Sequence, residues 1–207
     1  MPNGTPIVII IDDDAAIRES LEDLLQSVGR DSRSYASVAA FLEAGLPDAP
    51  CCLILDVRMP GQSGLELQEQ LVAAAAEVPI IFITGHADVE MSVRAMKAGA
   101  AEFLPKPFRH QDLLEAVQQS LEKNRETRRK QGEATALQRK FDALTAREKE
   151  VLTHVTNGRL NKQIAGDMGV AEITVKVHRG QVMKKMGARS LAALVRMADQ
   201  LGLTPQP

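Results

Sequence analysis

The sequence predicts an α/β doubly wound domain, built on a five-stranded parallel sheet, followed by a small all-α domain of four helices. Three observations predict it. Short apolar runs alternate with helical patterns over the first 120 residues. From Phe141 onward no strand pattern appears. The charge also changes sign. Residues 1–122 hold 8 Lys and Arg against 19 Asp and Glu, whereas residues 139–207 hold 12 against 6. An acidic front and a basic end imply two domains with different partners.

Ile7–Ile11 is an unbroken apolar run and reads as a buried strand; Ile17, Leu21, Leu24, Leu25 and Val28 then follow helical spacing. A weak strand at 32–36 precedes a helix at 37–44. Cys51–Leu55 and Pro79–Ile83 are further buried strands, and 101–104 is a shorter one. Helices follow at 64–76, 88–97 and 110–122. Strands this apolar require a sheet covered on both faces, hence βαβ units. Residues 123–140 are polar and basic, with no Pro and one Gly, Gly132; they read as a helical continuation broken at that glycine. Helices at 145–156, 161–168, 172–186 and 190–201 complete the chain. The domains are thus 1–122 and 141–207, joined by a basic linker at 123–140.

Composition narrows the class of function. Hydrophobic residues make up 44% and charged residues 25% of the 207 positions, which are globular values. Aromatics are 3%, so aliphatic side chains build the core. No apolar run approaches the ~20 residues of a membrane helix, and the start lacks the basic region of a signal peptide. The two cysteines, Cys51 and Cys52, are adjacent and form no disulfide framework. A reducing cytoplasm, with no membrane partner, is the expected setting.

Asp12 and Asp13 end the first strand, Asp56 ends the strand at 51–55, and Lys106 follows the last strand between Pro105 and Pro107. Ligands of a doubly wound sheet bind at the carboxyl ends of its strands. Three carboxylates there repel one another unless a cation joins them, and hard oxygen donors suit Mg²⁺. A cation keeps Asp56 ionised, able to attack phosphorus and form an aspartyl phosphate. Lys106 supplies a fixed positive charge for phosphoryl oxygens. Taken singly, strand-end Asp residues cap helices, as expected for Asp14, and a Lys beside Pro is a surface charge. Metal binding without phosphorylation is the other reading of the cluster.

In the basic domain, Ile164, Ala165 and Met168 face one way, Gly169 permits a tight turn, and 172–186 forms the next helix. Val175, His178, Val182 and Met186 share one side of it, and its cationic residues lie mainly elsewhere. This is the rhythm of a helix-turn-helix, whose second helix enters the major groove by its N-terminal residues. Thr174, Lys176, Val177 and Gly180 then reach bases, while Arg179, Lys184 and Lys185 suit phosphates. The charge pattern alone better fits a solvated amphipathic helix in an ordinary bundle, because basic helices are common.

The segments IIIDDD, LILDVRMPGQSGLEL, IFITGHAD and AMKAGAAEFLPKPF resemble, in order and spacing, the receiver domains of two-component response regulators over residues 6–122. The resemblance implies the flavodoxin/CheY-like fold. It implies Asp56 as the phosphoacceptor, with Asp12, Asp13, Asp56 and the backbone carbonyl of Arg58 around Mg²⁺, or Mn²⁺ in its place. It makes Thr84 the switch hydroxyl and Phe103, three residues before Lys106, the switch aromatic. Residues 141–203 are similar to the LuxR-type DNA-binding domain, through LTARE at 144–148, Asn157-Gly158, NKQIA at 161–165 and TVKVH at 174–178. His178 is structural in that family. Gly180 departs from it, because relatives often carry a larger side chain there.

A receiver followed by this module resembles the FixJ/NarL class of transcription regulators, nearer the FixJ side through the DDD run and Arg58. The resemblance implies no enzyme beyond self-phosphorylation and autodephosphorylation at Asp56. A cognate sensor histidine kinase donates the phosphoryl group, and the phosphorylated chain forms a homodimer that binds double-stranded promoter DNA and engages RNA polymerase. Two other classes compete. A Mg²⁺-dependent phosphohydrolase needs a second acid two residues after the nucleophile, where this chain has Arg58. A constitutive DNA binder would have no use for intact Asp12, Asp13, Asp56, Thr84 and Lys106.

Overall fold

The computed structural model describes residues 4–85 and 89–203. Asp88, where the fourth helix was expected to begin, and the expected domain ends at 1–3 and 204–207 lie outside the described residues. The chain divides into two compact units, Met1–Arg129 and Lys130–Pro207.

The first unit alternates β1 (Ile7–Ile11), α1 (Ala15–Ser27), β2 (Asp31–Tyr35), α2 (Val38–Ala44), β3 (Cys51–Asp56), α3 (Gly64–Ala73), β4 (Ile80–Thr84), α4 (Val89–Lys97), β5 (Glu102–Pro105) and α5 (His110–Asp142). The strands are all parallel, in the order β2-β1-β3-β4-β5. Strand side chains alternate between faces, and the core follows that period. Ile9, Ile11, Leu53, Leu55 and Phe82 face α2, α3 and α4, where they meet Phe41, Leu67 and Ala95. Val8, Ile10, Ile54, Ile81 and Ile83 face α1 and α5, where they meet Leu21, Leu25, Leu113 and Val117. β1, β3 and β4 are buried throughout, which is why their sequence is continuously apolar. β2 lies at the sheet edge and carries exposed Asp31 and Arg33, so its sequence signal is weak. The same alternation sends Cys51 into one cluster and Cys52 into the other. Both thiols are buried, and burial pushes both upward from the ordinary thiol range.

α5 differs from the expected helix at 110–122 and from the expected break at Gly132, for it is a single helix of 33 residues. The stretch after 122 has no proline and one glycine among good helix formers, and one such glycine costs only about 1 kcal/mol. Its pairs also support it. Glu126 and Arg129 bridge at 2.8 Å, and Gln138 donates to Asp142 at 2.9 Å. Buried Asn124 ties this part of the helix to the sheet: its Oδ1 accepts the Cys51 N–H at 2.9 Å, and its Nδ2 donates to the Glu77 carbonyl at 2.7 Å.

The second unit packs the end of α5 with α6 (Ala146–Thr156), α7 (Asn161–Met168), α8 (Glu172–Met186) and α9 (Leu191–Gln200). Val151, Leu152, Ile164, Val175, Val182, Met186 and Leu194 form its core. Thr145 starts α6 with a reciprocal capping box: its side chain accepts the Glu148 N–H, and Glu148 accepts the Thr145 N–H. Gly169, left-handed at φ 65°, ends α7 and turns the chain into α8.

Candidate functional sites

The carboxyl ends of the strands gather four charged side chains from three parts of the sequence. Asp12 follows β1 and is buried. Its Oδ2 accepts from Lys106 Nζ at 2.8 Å, its Oδ1 accepts the Asp14 N–H at 2.9 Å, and its carbonyl accepts from Arg18 Nη1 at 2.8 Å. Asp13 is exposed. Asp14 caps α1 by accepting the Ala16 N–H at 2.8 Å, as its position before Ala15 led us to expect. Asp56, at the end of β3, lies 3.5 Å from Lys106 Nζ, and its side chain is 10% exposed. One acceptor atom from each of Asp12, Asp13 and Asp56 lies within 4.8 Å of the others, a group able to hold a metal ion.

The electrostatics of this cluster are unbalanced. Burial raises Asp56 above the ordinary carboxylate range, and the Asp12 charge adds to the rise; Lys106 and the Arg58 backbone amide pull it back. One lysine therefore serves two buried carboxylates. A hard cation set among three carboxylate oxygens would relieve that imbalance, so the residues present fit one.

Thr84 ends β4, is buried, and its carbonyl accepts the Lys106 N–H at 2.7 Å. Phe103 lies in β5, with its ring 6.2 Å from that of Phe82, and packs half-buried against the cluster that includes Phe82. Gly64 was missed by sequence reasoning. A Cβ there would stand 2.3 Å from the Asp56 carbonyl, so only glycine lets the start of α3 lie against the end of β3. A glycine directly after the helix-capping Ser63 was the available signal.

In the second unit α8 buries Val175, Val182 and Met186 and turns its other side outward. Lys176 is exposed and bridges Glu172 at 3.1 Å; Val177, Gly180 and Lys184 are exposed. Thr174 and His178 are half-buried. Arg179 is half-buried too and donates from Nη1 to Asn161 Oδ1 at 3.0 Å, across to α7. Lys185, expected to suit a phosphate, is engaged within the unit itself. Its Nζ lies 2.7 Å from Glu148 Oε2 and donates to the Ala143 carbonyl at 3.3 Å. A buried carboxylate needs a paired cation, and Lys185 is that partner. It holds Glu148, with help from the Thr145 amide, below the ordinary carboxylate range. The spacing of the lysines along α8 carried no sign of this, because the partner lies 37 residues away.

Comparison with known proteins assigns a family to each unit. Residues 8–118 match the response regulator receiver domain family, and residues 142–198 match the luxR family of bacterial regulatory proteins. The chain is 48% identical to nodulation protein W of Bradyrhizobium diazoefficiens over 96% of this chain and 87% of that protein. It is 46% identical to the transcriptional regulatory protein FixJ of Azorhizobium caulinodans, over 99% of this chain and 97% of that one. The solved structure of response regulator StyR superposes with a TM-score of 0.90 at 49% identity, covering 95% of this chain and all of that one. With a receiver carrying an acidic cluster and a LuxR-type helical unit after it, the chain belongs to the FixJ/NarL class of response regulators, DNA-binding transcription regulators activated by phosphorylation.

Proposed function

We propose that Asp56 is the residue phosphorylated and that a cognate sensor histidine kinase supplies the phosphoryl group. The observation that carries this is the cluster itself: an oxygen-rich group of Asp12, Asp13 and Asp56 within 4.8 Å, with Lys106 Nζ 3.5 Å from Asp56. Asp12, Asp13, Asp56 and the Arg58 carbonyl would hold Mg²⁺, which on binding neutralises developing phosphoryl charge. An Asp56 carboxylate oxygen attacks phosphorus, the bond from phosphorus to the donor breaks, and the donor leaves with that electron pair. Lys106 has Asp12 as its nearer partner and Asp56 within reach, so it can turn its charge to the incoming phosphoryl oxygens. The receiver acts only on itself, through this step and its slow hydrolytic reversal.

The added group brings roughly −1.5 to −2 charges. Thr84 turns its hydroxyl to the new oxygens, and Phe103 fills the space left behind. Thr84 ends β4 beside β5, Phe103 lies in β5, and α4 carries Val89, Val93 and Met96 exposed along one side. That side, with β5 and α5, pairs two chains, and pairing doubles the DNA contacts of the basic units. Lys176, Val177, Gly180 and Thr174 face bases of double-stranded promoter DNA, while Arg179 and Lys184 face phosphates. RNA polymerase is the partner at the promoter, and the cytoplasm is the compartment; among the described residues no helix is long and apolar enough to cross a membrane.

The test is direct. Intact mass after incubation with Mg²⁺ and acetyl phosphate gives one added phosphate on the wild-type chain and none on Asp56→Asn, whose amide keeps the shape but not the nucleophile. Equal uptake by both chains excludes Asp56 as the acceptor.

A further inference from the structure

Gly180 sits in the middle of α8, and nothing within the fold requires a glycine there. Its φ lies outside the left-handed region, and a Cβ built on it meets no heavy atom within 4 Å. A glycine inside a helix lowers stability relative to alanine. The residue thus carries a penalty that no contact among the described residues offsets.

Its position on the helix supplies a reason. At about 100° per residue, Ile173, Val177, Gly180 and Lys184 fall within an arc of about 60°. This arc is the outward one, since Val175, Val182 and Met186 bury the other side. Ile173 is 67% exposed and Val177 56%. Two large apolar side chains one turn apart therefore stand outward on a helix whose other exposed residues are polar or charged, among them Lys176, Gln181 and Lys184. Residues 139–207 hold 12 Lys and Arg against 6 Asp and Glu, a surface suited to a polyanion rather than to an apolar protein face. In the major groove, the apolar feature offered to such side chains is the 5-methyl group of thymine.

Resting on the reading of α8 as the helix that enters the groove, we infer that Ile173 and Val177 read thymine methyl groups and that Gly180 is where the α8 backbone comes closest to the DNA. A side chain at 180 lies in line with both residues. It would hold the helix off the groove floor and lift their methyl groups from the bases. Ile173 and Val177 are about 6 Å apart along the axis, so the thymines they read lie within about two base pairs of each other at 3.4 Å per step. Lys184, about 16 Å from Ile173 on the same line, passes beyond the bases to a phosphate.

Uracil in place of thymine removes only the methyl group, which makes the test clean. The full chain, with Mg²⁺ and acetyl phosphate present, selects a duplex from a randomised 30-base-pair pool. The selected duplex is then remade with deoxyuridine at each thymine in turn. Wild-type affinity should fall about fourfold per contacted methyl, equivalent to about 0.8 kcal/mol. Ile173→Ala and Val177→Ala should each lose the response at one thymine and keep it at the other. Gly180→Ala should melt at the same temperature as wild type or higher, yet bind the selected duplex at least tenfold more weakly. Wild-type affinity that survives every uracil replacement, or a Gly180→Ala chain that binds as wild type, overturns this assignment and leaves α8 as a DNA-binding helix. A chain that enriches no duplex overturns that reading as well.

Discussion

The two units place their functional groups in opposite ways. In the first, the groups lie at strand ends, with Asp12 and Asp56 buried and within reach of one lysine. In the second, Lys176, Val177, Gly180 and Lys184, all proposed to meet DNA, stand outward from α8, and the buried charge is structural, the Glu148 carboxylate paired with Lys185. The receiver cluster is thus unbalanced in charge: three carboxylates gather around one ammonium, an excess of negative charge that a bound cation would offset. The exposed side of α8 is complete by itself, and only the chemistry of a partner explains Ile173, Val177 and Gly180. A buried site announces its ligand by unbalanced charge; an exposed one announces it by residues the fold does not need.

The largest effect that would sharpen this contrast lies in the receiver. Chelating divalent cations, or replacing Asp13 by Ala, should slow phosphorylation from acetyl phosphate at least about a hundredfold, since a bound metal contributes several kcal/mol to such a transfer. Because Asp13 is exposed, the fold should survive. Phosphorylation at the wild-type rate in either case would mean that the carboxylate group holds no required cation.

A smaller effect belongs to the ion pair of the second unit. Lys185→Ala leaves the Glu148 carboxylate buried beside the Thr145 amide alone, and should cost about 1–3 kcal/mol of stability by thermal denaturation. The pair has a definite pH dependence. Lys185 holds Glu148 below its ordinary range, so the stabilisation is fully present above the unfolded carboxylate value of about 4.3 and fades as pH falls through the lower folded value. The wild-type and Lys185→Ala chains should therefore differ at pH 7 and converge in acid. A difference that does not shrink as the pH is lowered would assign the loss to packing rather than charge.

The smallest effect distinguishes the two neighbouring lysines. Lys184→Ala should reduce the slope of log affinity against log salt by about 1, on selected and random duplexes alike. Lys185→Ala should leave that slope unchanged. The reverse pattern, measured by fluorescence anisotropy at several salt concentrations, would return Lys185 to the phosphate contacts.

Much of this was legible in the sequence for particular reasons. Three of the strands, β1, β3 and β4, could be placed because buried parallel strands such as Ile7–Ile11 are apolar without interruption, whereas edge strand β2 left only a weak signal. Asp12, Asp56 and Lys106 could be joined because the fold class puts every strand's carboxyl end on one side. Sequence reasoning expected a break at Gly132 because glycine weakens a helix, but the basic stretch around it propagates well enough to absorb one such residue. Gly64 escaped because its importance lies in a backbone approach to Asp56 that no spacing encodes. Lys185 escaped because adjacent lysines look alike until Glu148, on another helix, claims one of them. Ile173 escaped because an apolar residue at the first turn of a helix reads as core until its exposure is known.

The central claim is that a charge added at Asp56 changes what α8 does. It is tested most directly by titrating a fluorescent selected duplex with the full chain, with and without acetyl phosphate and Mg²⁺, alongside Asp56→Asn. The account predicts that the phosphodonor tightens wild-type binding at least tenfold, in step with the added phosphate seen by mass, and leaves Asp56→Asn unchanged. Wild-type chain that carries the phosphate but binds no more tightly, or Asp56→Asn that responds equally, would contradict it.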